Sequence, residues 1–348
     1  MPRQAGSCAS PEEQTHLMAS TSSQPVEAAA SEIEERPLRS TRIVLFCDID
    51  GTLVHYPEVQ EQWGQITGPS VLPGCHLYVD KELGRKHKIL KLPASSTGLQ
   101  GVISVKTLTE LASLRAGGAA LVMLTGARMS TLLQRLPFLP AADAYVCENG
   151  GRIFYHDTFL PTALPIAEDL AWRSKHNETA GPADQEGVPP AQRKGLLWDL
   201  YRSLTQDGWK VDTASYTTCI RFKSSPDKTD ADLQTVLDNL PAGLASSRNL
   251  GAADVYPVSS GKEKVAMYLL EKFNASLETA LFMCDDDNDL GLAARLPKVF
   301  LVGTTAESVK EAAEADPKKF VVATKGGILA TEEILEHVED YLGTFVLG

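Results

Sequence analysis

The sequence predicts an α/β fold: a largely parallel sheet with helices on its faces and a smaller α+β domain inserted into it. Three observations lead there. From Thr41 onward, short apolar runs alternate with segments of helical periodicity, the mark of a parallel sheet. That alternation changes style after RIFY (152–155) and returns near residue 253. Several of the apolar runs end in polar residues, and the carboxyl ends of strands are where an open parallel sheet binds ligands. The expected organisation is a disordered tail over 1–40, a core over 41–156 and 252–348, and an inserted cap over 157–251.

IVLFC (43–47) reads as a central strand and SVKTLTELASLR (104–115) as a helix. ALVMLT (120–125) is the next strand, RMSTLLQRL (128–136) a helix and AYVC (144–147) a third strand. The insert at about 57–100 has no legible role. Within the expected cap lie a polar Gly/Pro-rich stretch, the helix AQRKGLLWDLYRSLTQDG, the strand candidates WKVDT and YTTCIRFK, the helix DKTDADLQTVLDNL and a last run LASSRN. The parallel pattern is expected to resume with ADVYP (253–257), followed by the helix KEKVAMYLLEKF and the strand TALFMC (279–284). KVFLVG, FVVAT and the closing helix ATEEILEHVEDYL complete it.

With 43% apolar and 22% charged residues, the 348-residue chain can bury a sizeable core. Its net charge of -12, from 45 acids against 33 bases, gives no footprint for nucleic acid or an anionic membrane. No apolar stretch approaches the roughly 20 residues that span a bilayer. Six cysteines without a C-x-x-C pair point to reduced thiols in a reducing compartment, and seven histidines without ligand spacing argue against a zinc site. A cytoplasmic location is expected. An organellar targeting role for the tail is the lesser alternative, because such peptides avoid acids and this one holds six Glu against three Arg.

Asp48 and Asp50 end the first strand, two residues apart and followed at once by Gly51 and Thr52. Like charges that close call for a cation. Thr125 and Gly126 follow the second strand, Lys262 opens a helix, and Asp285 and Asp289 follow TALFMC. Asp48, Asp50 and Asp285 supply hard oxygen ligands of the kind that hold a partly hydrated Mg²⁺. A carboxylate so placed can attack phosphorus, provided a second group protonates the leaving oxygen and later deprotonates water. Thr125 and nearby backbone N–H groups suit phosphoryl oxygens, and Lys262 offers a fixed cation. Gly51 allows a sharp turn past the reacting centre. Gly51, Thr52, Thr125, Gly126 and Lys262 form the expected substrate-binding set.

The ordered set DIDGT (48–52), LTGAR (124–128), GKEK (261–264) and CDDDND (284–289) resembles the four motifs of the haloacid dehalogenase-like superfamily. ENGGRIFY and the large insert after it resemble the branch of Cof-type, sucrose-phosphate phosphatase-like and phosphomannomutase-like proteins. The resemblance spans roughly residues 41 to 342. It implies a parallel-sheet core with a mobile cap, and a Mg²⁺-dependent phosphatase working through an aspartyl-phosphate. It further implies Asp48 as nucleophile and metal ligand, and Asp50 as general acid/base whose backbone carbonyl binds the metal. Thr125 would bind phosphate, Lys262 neutralise charge, Asp285 hold the metal and Asp289 support it. The second motif reads TGAR where many relatives have TGR, so Arg128 is given no role. Cys284 stands where Gly is usual, and either Lys262 or Lys264 fits the third motif, with the following YLL favouring Lys262.

The expected substrate is a small phosphomonoester, by resemblance a sugar or polyol phosphate. The alternatives are a phosphosugar mutase of the same branch and a non-catalytic phosphate-binding or phospho-acceptor module. His55 is expected to serve packing rather than substrate contact, and Arg221 and Lys223 face either the cleft or solvent. Oligomeric state is not legible.

Overall fold

The computed structural model of the protein describes residues 43–94, 98–249, 251–304 and 306–346. The expected disordered tail, 1–40, lies outside the described residues. Strand β1 (Val44–Asp48) leads through a tight turn to a short helix, Pro57–Trp63, and then to β2 (Gly64–Pro69), β3 (Cys75–Asp80), β4 (Lys86–Ala94) and β5 (Gln100–Ser104). After the helix Val105–Ala116 come β6 (Ala120–Leu124), the helix Met129–Arg135, β7 (Ala144–Cys147), β8 (Arg152–His156) and β9 (Ile166–Glu168). β10 (Val211–Asp212), β11 (Ile220–Lys223), β12 (Leu244–Asn249) and β13 (Ala252–Pro257) follow. The chain closes with β14 (Ala280–Cys284), β15 (Lys298–Leu301), β16 (Phe320–Val322) and the helix Ile328–Val346. No helix among the described residues is long and apolar enough to cross a membrane.

The main sheet has the order β16-β15-β14-β1-β6-β7-β8-β9. β1 pairs in parallel with both β14 and β6, while β8 and β9 join antiparallel at one edge. Every residue of β1 is buried, and its side chains alternate between the two faces. Val44 and Phe46 pack with Val265, Ala266 and Leu269 of the helix Lys262–Lys272. Leu45 and Cys47 pack with Leu111, Leu132 and Leu335 on the other side. A side chain of this size buried on both faces contributes about 1.5–3 kcal/mol, which is why the run is apolar throughout. The same alternation carries Asp48 to the face covered by the helix that begins at Lys262.

The inserted cap sheet has the order β10-β11-β13-β12. Its core is formed by Trp198 and Leu204 of the helix Leu196–Gln206, Leu233 of the helix Asp230–Asp238, and Ile220, Phe222, Ala253 and Val255 of the sheet. ADVYP is therefore not the return of the parallel pattern. β13 pairs antiparallel with β11 and β12, because Ala253 and Val255 complete the core of the cap. Two other elements are shorter than their sequence suggests. The helix begins at Leu196 rather than at Ala191 because Gly195 has a φ of +114°. β11 begins at Ile220 because the N–H groups of Thr217 and Thr218 bind the Glu148 carboxylate at 2.9 and 2.7 Å instead of a neighbouring strand.

The 57–100 insert forms an antiparallel sheet of its own, β2-β3-β4-β5, packed on the closing helix through Tyr78, Ile89, Val102, Ile328 and Leu329. His87 fastens it. Its Nδ1 lies 2.9 Å from Glu332, its Nε2 3.5 Å from Asp80, and its ring meets Tyr78 edge-on. The hydrogen bond to Glu332 raises the imidazole above its ordinary value of 6.5 against the opposing effect of burial. A folded-state value that is raised stabilises fully at pH below the unfolded value, and the contribution is lost as pH rises through the raised one. Stability measured by urea denaturation should therefore fall by about 1 kcal/mol as the pH rises above the imidazole range. In His87→Gln that part of the pH dependence should disappear.

Candidate active site

After β1 the ladder continues for one bond, Ile49 N–H to the Leu124 carbonyl, and the chain then coils tightly. Leu53 and Val54 N–H both return to the Ile49 carbonyl, and Gly51 N–H donates to the Val54 carbonyl at 2.9 Å. Gly51 has φ +90°, and a Cβ there would lie 2.0 Å from Asp285 Oδ2. Backbone conformation and the neighbouring carboxylate thus both demand glycine.

The ends of β1, β6 and β14, with the start of the helix at Lys262, converge at the point where the strand order reverses, the usual ligand crevice of an open α/β sheet. Oxygens of Asp48, Asp285 and Asp289 lie within 4.8 Å of one another. Lys262 Nζ stands 2.5 Å from Asp48 Oδ1 and 2.5 Å from Asp289 Oδ1. Lys264 instead donates to the Val258 carbonyl, so it is Lys262 that the fold brings to the acids. Thr52, expected among the substrate ligands, is fully buried and donates its hydroxyl to Asp285 Oδ1 at 2.7 Å. Its side chain supports an acid rather than lining the cleft.

Burial pushes the Asp48 carboxyl up to about 8, against the pull of Lys262 and with the repulsion of Asp289. Burial, then Asp48 and Asp289, push Asp285 well above the carboxylate range, and burial raises Asp289. Burial alone would lower Lys262; Asp289 and Asp48 hold it above its ordinary value instead. One ammonium cannot balance three crowded carboxyls, two of them buried and Asp285 partly so. Asp289 Oδ2 is buried without a hydrogen-bond partner. A hard divalent cation fits this donor set, with Asp48, Asp285 and Asp289 as the side chains able to hold it.

Asp50 has a different setting. Its Oδ2 accepts from Thr125 Oγ1 at 3.1 Å and forms a short ion pair with Arg135; its Oδ1 accepts from the Tyr56 hydroxyl at 2.6 Å. Thr125 also caps the next turn, accepting from Ala127 N–H at 3.0 Å. Gly126 lies against Asn149, whose Oδ1 would be 2.8 Å from a Cβ there. Tyr56 and Arg135 went unrecognised in the sequence; the only signal was a cation one helical stretch beyond LTGAR, and the need to balance Asp50. His55 is buried, and its Nε2 meets Thr331 Oγ1 at 2.6 Å. Thr331 spends its one proton on the Thr52 carbonyl, so His55 donates from Nε2. Burial lowers this imidazole to about 4, leaving it a neutral prop for the turn.

The cap meets the core through charged groups. Arg128 pairs with Asp212, donates to the Ala214 carbonyl at 2.9 Å and stacks over Tyr216. Glu148 and Asn149, at φ 55° and 53°, occupy a backbone region costly for such residues. On the cap strands Asp212, Arg221, Asp254 and Ser247 are direct cross-strand neighbours, on the face opposite the apolar core of the cap. Arg221 reaches both oxygens of the fully buried Asp254 at 3.1–3.2 Å. The Tyr256 ring edge lies 3.7 Å from the position of a Cβ on Gly261, beside Lys262. Arg221 thus takes the cleft side.

The charge imbalance sets two expectations. Lys262→Met should destabilise the protein by about 3–5 kcal/mol, since it leaves buried carboxylates uncompensated. Millimolar Mg²⁺ should raise the melting temperature of the wild type, and Asp285→Asn should abolish that rise in the same thermal-shift assay.

Neither a family model nor a curated protein sequence matches the chain. Among solved structures it is similar to the sucrose-phosphatase of Synechocystis sp. PCC6803, determined with sucrose and phosphate, at 15% identity and a TM-score of 0.55 over 86% of this chain and 98% of that one. It is also similar to Thermoplasma acidophilum 0175, at 14% identity and a TM-score of 0.52 over 86% of this chain and 99% of that one. The chain thus has a parallel core ordered around β1 with a cap inserted after β9, and its fold is the haloacid dehalogenase-like one.

Proposed function

We propose that the protein is a Mg²⁺-dependent phosphatase acting on a sugar or polyol phosphate through an aspartyl-phosphate on Asp48. The observation that carries this reading is the convergence of Asp48, Asp285, Asp289 and Lys262 at the end of β1, with a second acid two residues on and partly open to solvent. Bound Mg²⁺ would supply positive charge to the crowded carboxylates and to the phosphoryl oxygens. The Asp48 carboxylate attacks phosphorus as the bond to the leaving oxygen breaks, and Asp50, entering this step as the protonated acid, delivers its proton to that oxygen. In the second half Asp50 takes a proton from water, which attacks the phosphoryl group and frees Asp48. Lys262 offsets the negative charge shared by the nucleophile and the phosphoryl group. Thr125 and the N–H groups around Gly126 and Gly51 receive phosphoryl oxygens.

The cap face supports a hydroxylated leaving group. Arg221, partly exposed, is held on the cap's core-facing side by the buried Asp254. A guanidinium fixed there suits the hydroxyls of such a leaving group, which a site of paired polar groups distinguishes well. The fold shared with a sucrose-phosphatase supports the same reading by analogy only.

The test is phosphate release from a panel of sugar, polyol and nucleotide monophosphates, with Mg²⁺ and with chelator. Release should require the metal and vanish in Asp48→Asn, and Asp50→Asn should lower kcat by about 10²–10⁴-fold. Release undiminished in Asp48→Asn would overturn the assignment of the nucleophile.

A further inference from the structure

Arg135 is a deeply placed cation, its side chain 9% exposed, and the acid it meets is Asp50. One arm of its guanidinium pairs with Asp50 Oδ2; the other donates to the Tyr56 hydroxyl at 2.7 Å, and Tyr56 donates to Asp50 Oδ1 at 2.6 Å. The three side chains close a ring. Both oxygens of Asp50 are thereby gripped from one side, by a residue of the helix after β6 and a residue of the turn after β1. Burying a guanidinium costs free energy that a surface arginine would avoid, and here the compensating partner is a group of the reaction centre rather than an acid of the core.

Thr125 cannot hold Asp50 by itself. Its hydroxyl has one proton, now given to Asp50, and the proposed reaction needs that proton for a phosphoryl oxygen. Once substrate takes Thr125, the orientation of Asp50 rests on Arg135 and Tyr56. A carboxylate that must first meet the leaving oxygen and then a water loses rate steeply when misplaced by about 1 Å.

We infer that Arg135 and Tyr56 are positioning residues that hold Asp50 against the leaving-group oxygen when the ester bond breaks. The inference rests on the phosphatase reading above. It distinguishes esters by their leaving groups, because an alkoxide must be protonated to depart and a nitrophenolate need not be.

The test compares kcat/KM, which reports ester cleavage, for p-nitrophenyl phosphate and for glucose 6-phosphate and glycerol 3-phosphate, in wild type, Arg135→Met, Arg135→Lys and Tyr56→Phe. Arg135→Met should lower kcat/KM on the alkyl esters by about 100-fold and on the aryl ester by about tenfold less than that. Arg135→Lys should recover part of the alkyl activity, and Tyr56→Phe, which keeps the ring and its packing, should show the same selectivity more weakly. Equal losses on both kinds of ester would mean that the two residues serve the fold alone, and would overturn the inference while leaving the phosphatase reading intact. If Arg135→Met does not fold, Tyr56→Phe decides by the same ratio. Absence of release from every ester by the wild type would overturn the phosphatase reading, and this inference with it.

Discussion

Three carboxyls at and just beyond the ends of two adjacent strands, crowded within 4.8 Å of one another, impose the arrangement of everything around them. Strands β1 and β14 lie side by side in the sheet; β1 ends in Asp48, and Asp285 follows directly on the last residue of β14. Their repulsion in a medium of low dielectric is tolerable only with positive charge in contact. Lys262 supplies one such charge, from a helix whose apolar residues already cover that face of β1. Thr52 supplies a hydrogen bond, and Gly51 supplies room by having no side chain. The residual negative charge is what suits the cluster to hold a cation, rather than to serve as a buried salt bridge that is merely expensive.

The second acid of the first motif escapes this crowding by geometry. The tight turn after Ile49 directs Asp50 toward the helix Met129–Arg135, where Arg135, Tyr56 and Thr125 receive it. Two carboxylates separated by one residue thus stand in unlike surroundings, one against an ammonium among acids and one in a cradle of donors beside solvent. Unlike surroundings are the physical basis for giving two chemically identical groups different tasks.

Much of this was legible in the sequence, for stateable reasons. The strands of the core are apolar runs because both their faces are covered, so IVLFC and AYVC are found within a residue of their observed bounds. The acids stand out because nothing else explains polar residues at strand ends. What stayed hidden depends on long-range pairing. ADVYP could not be assigned to the antiparallel sheet, since an apolar run gives no sign of which partner it will take. YTTCIRFK looked longer as a strand because the Glu148 carboxylate that captures two of its N–H groups lies 69 and 70 residues earlier. Arg135 read as an ordinary helix residue for the same reason: its partner is 85 positions away.

That distance also bears on the order in which the molecule assembles. Asp48 is 214 residues from Lys262, and β1 takes its second neighbour from residues 280–284. During synthesis, when domains fold as the chain emerges, the first motif therefore exists for most of the chain's length without its counter-charge and with one edge of β1 unpaired. The β6 side can pair early, but the crevice cannot close around its acids until the last third of the chain has docked. Contacts of such long sequence separation fold slowly and leave apolar strand edges exposed meanwhile. The centre of the molecule is thus the last part to become native, and a chain truncated before β14 would carry Asp48 on an open edge.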